Sequence, residues 1–275
     1  MRAFFVLFLF LASFFTRAQT VVIIPYFYID PDAMNFINSA GITSNVQRNA
    51  IDKLVRNAKA RGWWSKCIAI YPIVGGTASS HAFNLKNTAQ YNITWSGSLT
   101  HTSGGIVSNG GFGNTNLNPS TIGMTIGNVH LSATMTKTGT RPSYDYTMGG
   151  KGSTSNTTLL MAISEMTSLS IAHLNFGSVT GYSAGFTGSG VHIATRSGST
   201  TTLYIGTTTS NTQSTMGGTI CNVKLYVMGY NNNGTAVAYS PNSICYFFTI
   251  GTSLTSTEAN DMATDISQFN ALIGR

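Results

Sequence analysis

The 275-residue chain has only 8% charged residues, 29 glycines and a formal net charge of +7. A typical soluble domain has about 25% charged residues, so this composition fits extracellular and viral β-proteins better than a cytosolic enzyme. Between Cys67 and Thr257 the only acids are Asp145 and Glu165, which argues against a glycosidase with paired carboxylates and against a strong calcium site.

Residues 1–18 have the pattern of a signal peptide. Arg2 supplies the positive end, Ala3 to Phe15 is apolar, and Thr16-Arg-Ala18 offers small residues at the cleavage positions. We therefore expect a mature chain that begins at Gln19 and an extracellular or virion location. We expect no transmembrane span after signal removal, because the stretch is shorter than the roughly 20 residues a spanning helix needs. A retained anchor or an uncleaved virion segment is the alternative.

Residues 19–66 are predicted to form a strand and a helical lead-in. The strand covers Thr20 to Ile29, and a first helix covers Asp32 to Ala40, between a proline and a glycine. A capping box at Ser44 begins a second, amphipathic helix that ends near Arg61.

The polar side of this second helix is basic, and Asp52 is the one opposing charge. It is either the solvated face of a helix or a patch for phosphate, lipopolysaccharide or the acidic surface of a partner. No aromatic residues interleave with the charges, so we expect no nucleic-acid partner. The candidate basic patch comprises Arg48, Lys53, Arg56, Lys59 and Arg61.

Residues 67–253 change character, with short β-branched and aromatic runs between Gly, Asn, Ser and Pro. Runs of this kind without intervening helical periodicity predict an all-β fold, an antiparallel two-sheet β-sandwich. The runs are Cys67–Ile73, Tyr91–Trp95, Val129–Met135, Leu159–Ile163, Leu169–Phe176, Val191–Thr195, Leu203–Ile205, Lys224–Tyr230 and Cys245–Ile250.

Residues 254–275 are predicted to form a C-terminal helix. Thr255-Ser-Thr-Glu258 has the spacing of a capping box. The apolar stripe that follows predicts packing of this helix on the sandwich or on the N-terminal helix; it comprises Ala259, Met262, Ala263, Ile266 and Phe269.

The three cysteines allow two interpretations. Cys221 and Cys245 lie symmetrically about the turn Asn231-Asn-Asn-Gly234, so a regular hairpin could pair them in a disulfide. Pro241 interrupts the second arm, however, because proline cannot donate to the ladder. Three buried free thiols, with Cys67 as the third, is the interpretation we favour.

The sequence offers no obvious catalytic or metal-binding group. The five histidines are scattered without ligand spacing, and no cysteine spacing resembles a zinc site. His130 and His173 lie in strand-like runs, where we expect them to be core or face residues. We therefore predict no cofactor, no metal and no enzymatic activity.

Five segments resemble a family of phage-encoded proteins with a laminin-G/concanavalin-A-like jelly roll. The most specific are Ile70 to Asn87 and the C-terminal run with Leu254-Thr-Ser-Thr-Glu-Ala259; the others are Ile42 to Lys66, Trp95 to Asn114, and Asn128 to Ser132. The resemblance implies a jelly roll with a helical prefix and a packed C-terminal helix. It also implies a virion, fibre or surface-decoration role without catalytic residues.

Two functions remain after these exclusions. The first is a structural or decorating protein of a phage particle or surface layer, because a surface with few charges favours lateral packing into oligomers with other virion or surface proteins. The alternative is a secreted carbohydrate-binding adhesin that stacks sugar rings on tyrosines in loops. The candidate tyrosines are Tyr144, Tyr146, Tyr182 and Tyr230.

Overall fold

The computed structural model describes residues 28–125, 127–137, 146–154, 158–164, 169–174, 179–182, 189–214, 217–238 and 243–275. The predicted signal peptide, most of the predicted strand Thr20 to Ile29, Tyr144, Asp145 and Glu165 lie outside this part of the chain. No helix in the described ranges combines the length and the apolar character needed to span a bilayer.

The described residues contain four α-helices, of which the sequence predicts three. The side chain of Ser44 caps the second helix by accepting from the Gln47 amide at 3.4 Å. Thr255 and Glu258 form the predicted reciprocal capping box of the last helix. The helices are α1 (Pro31–Ser39), α2 (Asn45–Ala60), α3 (Ala78–Ala82) and α4 (Ser256–Leu272), with 3-10 turns at Trp63–Lys66 and Pro119–Ile122.

Every predicted run overlaps a strand, although several strands are shorter or divided, and seven further strands of the described residues lie outside the predicted runs. The first strands are β1 (Cys67–Tyr71), β2 (Thr94–Ser96), β3 (Leu99–Thr102), β4 (Gly105–Ser108), β5 (Phe112–Asn114), β6 (Asn128–Lys137), β7 (Tyr146–Lys151), β8 (Thr158–Ser164) and β9 (Leu169–Leu174). The others are β10 (Val179–Tyr182), β11 (Gly190–Ser197), β12 (Thr200–Ile205), β13 (Thr208–Ser214), β14 (Tyr226–Val227), β15 (Gly229–Asn232), β16 (Thr235–Ala238) and β17 (Ser243–Gly251).

These strands form two sheets. The first has eight strands, in the order β13-β12-β11-β6-β17-β4-β3 with β1 beside β17. The second has nine, in the order β10-β9-β8-β7-β14-β5-β2, with β15 beside β7 and β16 beside β15. All strand pairings within the described ranges are antiparallel except that of β15 with β7. The predicted two-sheet β-sandwich is confirmed.

Hydrophobic cores lie on both faces of the first sheet. Leu131 of β6 points into the core between the sheets, where it joins Met148 of the second sheet. On the opposite face, Ile193 of β11 packs with Ile51 of α2 and Phe269 of α4. Because side chains alternate between the faces of a strand, the first sheet separates the second sheet from a helical layer. Helix α4 lies against β11 on this face and against α2.

A chain of buried polar residues lies on the helix-facing side of β6 and β17. His130 Nε2 lies 3.0 Å from Thr249 Oγ1, and Ser132 Oγ lies 2.6 Å from the same hydroxyl. Burial lowers the pKa of His130 to about 4, so the imidazole is neutral at pH 7. His130 is therefore a hydrogen-bonded core residue, as its place in an apolar run predicts.

The segment Ile70 to Asn87 is organised around one buried amide. Asn84 Oδ1 accepts from the backbone amides of Ile70 and Lys86, at 2.9 and 3.0 Å. Its Nδ2 donates to the carbonyls of Ile68 and Gln90, at 3.3 and 3.1 Å. The side chain thus makes four hydrogen bonds to backbone and ties β1 to the loop that follows it. The polar part of this segment is the short helix α3.

Gly75 and Gly76 allow this segment to pack closely against its neighbours. Both have positive φ, and a Cβ on Gly76 would lie 3.1 Å from the Ser103 amide nitrogen. Beside this turn, His81 Nδ1 lies 3.0 Å from His101 Nδ1. Burial first, and then the neighbouring His101, lowers the pKa of His81 to about 3. The pair is therefore held neutral inside the fold at pH 7.

The three cysteines are buried thiols, and Cys221 is not joined to Cys245. The turn at Asn231–Gly234 does form a hairpin, but its arms β15 and β16 are only four residues each. Cys245 lies in β17 of the first sheet, whereas a Cβ on Gly150 of the second sheet would lie 3.2 Å from Cys221 Sγ. The hairpin is too short to bring the two thiols together, and the thiol interpretation is the one that the structure supports.

Candidate functional site

The candidate basic patch is largely neutralised by acids that come from other helices. Lys59 Nζ lies 2.7 Å from Asp30 Oδ1 and 2.6 Å from Asp32 Oδ2, which hold α1 against α2. Arg56 pairs with Asp52 at 2.9 Å within α2. The spacing of four residues in the sequence reveals only the pair of Arg56 with Asp52. Asp30 and Asp32 reach Lys59 only because α1 packs on α2.

Arg61 is paired in the same way with α4. Its Nη1 lies 3.2 Å from Asp261 and 3.4 Å from Asp265. Asp265 also accepts from the Trp63 indole at 2.9 Å and from the Asn57 amide at 3.1 Å. Burial raises the pKa of Asp265 despite these hydrogen bonds. The cluster therefore clamps α2 to α4.

The remaining two basic residues have separate environments. Arg48 donates to the carbonyl of Ile42 at 3.3 Å, and Lys53 is exposed on α2. A phosphate patch needs several converging cations with unsatisfied donors. The geometry therefore favours the interpretation of this surface as a solvated, ion-paired helix face.

Two of the candidate tyrosines come together in the second sheet. The rings of Tyr146 and Tyr230 have centroids 4.6 Å apart and planes inclined by 59°. Both rings are half-buried. Tyr146 lies in β7 and Tyr230 in β15, which pair with each other, and Tyr182 lies in β10. The prediction that these three tyrosines lie in loops is wrong, because each lies in a strand that is hydrogen-bonded to a neighbouring strand.

A bulge explains how Tyr146 reaches the surface. Met148, two residues further along β7, is fully buried in the core between the sheets. In a regular strand, residues two apart share a face, and Tyr146 would point into that core. The register shifts between Tyr146 and Met148, and a bulge of this kind re-aims a side chain.

A second aromatic pair lies on the neighbouring strands β5 and β14. The rings of Phe112 and Tyr226 stack with centroids 4.8 Å apart and an interplanar angle of 17°. Val227 points into the core, and a Cβ on Gly113 would meet Trp95 there. Phe112 and Tyr226 therefore occupy the outer side of the sheet. We call Phe112, Tyr146, Tyr226 and Tyr230 together the aromatic face.

Amide groups border this aromatic face. Asn114 lies directly opposite Tyr226 on the adjacent strand. Asn116 donates to the Asn92 carbonyl at 2.9 Å and accepts from Lys224 Nζ at 3.1 Å. The arrangement combines half-exposed rings with amide donors and acceptors, which is the chemistry that recognises a polar ring with an apolar side.

A hydroxyl-lined cleft of about 270 Å³ lies on the other sheet, beside the start of α4. Thr195 and Ser197 of β11 face Thr202 and Thr200 of β12 across the ladder, and Lys66 lies at the same cleft. Thr195 Oγ1 accepts from the Leu254 amide at 2.8 Å. The sequence signal for this cleft is the placing of hydroxyl residues at every second position of β11 and β12, which puts them on one face.

Metal-ligating side chains do not come together in the described residues. These residues contain no cluster of three His, Cys, Asp or Glu side chains that could hold a metal. His81 and His130 are 1% and 0% exposed, so neither faces a substrate. Asp145 and Glu165 fall outside the described ranges.

The fold is similar to that of known sialidase and neurotoxin structures. A Trypanosoma rangeli sialidase superposes with a TM-score of 0.52 and 10% identity, over 81% of this chain and 39% of the sialidase. A complex of that sialidase with sialic acid superposes with a TM-score of 0.51 and 10% identity, over 79% of this chain and 38% of the sialidase. A structure of botulinum neurotoxin type C, whose cell entry depends on interaction with two ganglioside molecules, superposes with a TM-score of 0.50 and 10% identity. The match covers 78% of this chain and 53% of the neurotoxin chain.

The chain spans about half or less of the length of these structures, and the identities are low, so the likeness shows the fold alone. No family model and no curated protein matches the sequence. The likeness is one of β-sandwich architecture.

Proposed function

We propose that this protein is a non-enzymatic carbohydrate-binding module that holds neutral saccharides on its aromatic face. The observation that carries the proposal is the pair of aromatic contacts, Tyr146 with Tyr230 and Phe112 with Tyr226, on adjoining strands of one sheet. One similar structure is a complex with sialic acid and another is of a neurotoxin whose cell entry depends on gangliosides, and both support a saccharide as the ligand class.

The described part of the aromatic face offers stacking rings and amide groups, which suit a neutral saccharide. Every Asp and Glu side chain in the described ranges belongs to the helical layer, in α1 and its cap, α2 or α4. The aromatic face is bordered by amides and by Lys224, whose ammonium is hydrogen-bonded to Asn116. Ligand recognition there depends on ring burial and amide hydrogen bonds.

A single sugar ring would bind weakly. Drug-sized ligands gain about 0.3 kcal/mol per heavy atom, so a monosaccharide of about 12 heavy atoms gains roughly 4 kcal/mol, which corresponds to a dissociation constant near 1 mM. Useful affinity then requires an oligosaccharide that spans both aromatic pairs, or several copies of the protein on one surface.

A glycan array followed by NMR titration tests this function. Wild-type protein is expected to select neutral oligosaccharides and to show saturable shifts at the aromatic face. Tyr28, which is 63% exposed beside the helical layer, provides a matched control. Tyr28→Ala should bind as wild type does, whereas binding that survives in Tyr226→Ala and Tyr230→Ala would reject the aromatic face.

A structural or decorating role in a phage particle or surface layer is the second candidate. The low charge of the chain favours it, because 8% charged residues leave little electrostatic repulsion between copies. Co-purification with particles and assembly into oligomers, without any glycan signal, would favour this role over the first.

Export through the N-terminal segment belongs to both proposals. Mass spectrometry of protein from its native source should find a chain that begins at Gln19. Recovery of intact Met1 would instead support a retained anchor or an uncleaved virion segment.

A further inference from the structure

A second polar cavity lies between α4 and the first sheet, on the helix-facing side and away from the aromatic face. Its volume is about 190 Å³. Thr134 of β6, Tyr246 of β17 and Asn270 of α4 line it together with Arg275. Exposed Thr136 and Ser267 form its rim, so the cavity is accessible from solvent.

Polar atoms from three separate elements converge on this cavity without a partner in the protein. They are the Thr134 hydroxyl, both side-chain atoms of Asn270, and Arg275 Nη1, each of them buried. Thr134 is 5% exposed and Asn270 is 6% exposed. Buried polar groups are nearly always hydrogen-bonded, and each unsatisfied one costs about 1–3 kcal/mol. Several such atoms at one cavity indicate a built binding site.

The guanidinium of Arg275 is fixed in an orientation that leaves one edge for a ligand. Its Nη2 donates to the Ile73 and Ser103 carbonyls, both at 2.6 Å, and its Nε donates to Ser103 at 3.2 Å. The Cζ atom lies 5.4 Å from the centroid of the Tyr246 ring. These contacts fix the guanidinium without neutralising its charge. Its Nη1 remains available to donate a hydrogen bond to a ligand.

The chemistry of the cavity is that of an anion site. Asp and Glu side chains are absent from its lining within the described residues, so no acidic side chain there neutralises the Arg275 cation. Burial lowers the pKa of Arg275 to about 10, which still leaves it charged at pH 7. Arg275 Nη1, Asn270 Nδ2 and the Thr134 hydroxyl are all donors.

We propose that this cavity binds a small organic carboxylate, with one oxygen on Arg275 Nη1 and the other on the Asn270 amide and the Thr134 hydroxyl. Charge-assisted hydrogen bonds of this kind are about twice as strong as neutral ones. Val191 and the Tyr246 ring supply apolar walls for a short carbon body. This inference is independent of the saccharide proposal, because the two sites lie on different sheets.

Thermal unfolding and NMR titration with acetate test the site, with acetamide as the neutral probe of the same shape and chloride at equal ionic strength as the salt control. Acetate should raise the midpoint of wild-type unfolding and shift resonances of Thr134 and Asn270. Acetamide and chloride should not. Loss of one hydrogen bond to a charged group should weaken acetate binding about tenfold or more in Thr134→Val and Asn270→Leu.

Thr134→Val keeps the shape of the side chain and removes a buried hydroxyl that has no protein partner, so the variant should fold and be at least as stable as wild type without acetate. Thr200→Val, in the hydroxyl-lined cleft, is the matched control and should keep the full acetate response. An equal response of wild type and Thr134→Val, or of acetate and acetamide, would overturn the proposal. So would a wild type that does not respond to acetate at all.

Discussion

Tyr146 and Tyr230, far apart in the sequence, meet with ring centroids 4.6 Å apart in the second sheet. The contact depends on two irregular features, a bulge in β7 and the parallel pairing of β7 with β15. Together they bring two rings into contact on strands that adjoin the strand of Tyr226, whereas a regular β7 would have turned Tyr146 into the core.

The first prediction concerns Asn84, which is fully buried and makes four hydrogen bonds to backbone. Asn84→Ala should destabilise the fold by about 2–4 kcal/mol, because it leaves several backbone groups unsatisfied. Urea unfolding measures the loss. Asn87→Ala, at an exposed turn in the same segment, is the control and should change stability by less than about 1 kcal/mol. Equal effects would contradict the role of Asn84.

The second prediction concerns the clamp between α2 and α4. The Asp265 side chain is fully buried and receives hydrogen bonds from Trp63 and Asn57. Asp265→Ala should cost about 3 kcal/mol, since it strips partners from buried donors. Asp261→Ala removes an exposed pair with the same arginine and should cost at most about 1 kcal/mol. Similar losses in the two variants, measured by denaturant unfolding, would refute the clamp.

The third prediction is a loss of stability in acid. The folded-state pKa of His130 is about 4, below the ordinary value of 6.5, so between these pH values the unfolded chain binds the additional proton. Stability therefore rises with pH across this window and falls as the pH drops below 6.5. His130 alone should contribute a loss of roughly 2 kcal/mol between pH 7 and pH 5.

Unfolding in urea at both pH values checks the sign and the source of this effect. His130→Gln should be less stable than wild type at pH 7 but should lose less stability on acidification, by roughly 2 kcal/mol. His81, whose pKa is lowered to about 3, is still present in that variant. Part of the dependence of the unfolding free energy on pH therefore remains. A variant with the same slope as wild type would mean that His130 is not the group responsible.

The fourth prediction is the lack of hydrolytic activity. Asp145 and Glu165 are the only acids between Cys67 and Thr257, and a glycosidase of the usual kind needs two carboxylates about 5 to 9.5 Å apart. No turnover is expected on a panel of glycans and esters. Turnover that disappears in Asp145→Asn or Glu165→Gln would contradict this view.

Local signals predicted the scaffold well. Capping residues such as Ser44 and Thr255, together with apolar periodicity, locate α1, α2 and α4 to within a residue or two, and β-branched runs locate most strands. Helix caps, apolar periodicity and β-branched runs all depend on residues that lie close together in the sequence, so they can be recognised without the fold. The short helix α3 was missed because its five residues carry too little periodicity to be read.

The candidate sites depend on contacts between residues that lie far apart in the sequence. The acids that pair with Lys59 and Arg61 come from other helices, and the exposure of Tyr146 depends on a bulge. The polar cavity joins Thr134, Asn270 and Arg275 from separate elements. Residue spacing cannot show such convergence, because it depends on packing between elements that are distant in the sequence and on local irregularities of the strands.

Binding of a neutral oligosaccharide by wild type, Tyr230→Ala and Tyr28→Ala, followed by NMR titration, tests the central claim most directly. Removal of a stacked ring should weaken binding by about tenfold or more, so Tyr230→Ala should lose most of its affinity while Tyr28→Ala retains it. Equal affinities in all three proteins, or no saccharide bound by wild type across a broad array, would contradict the account.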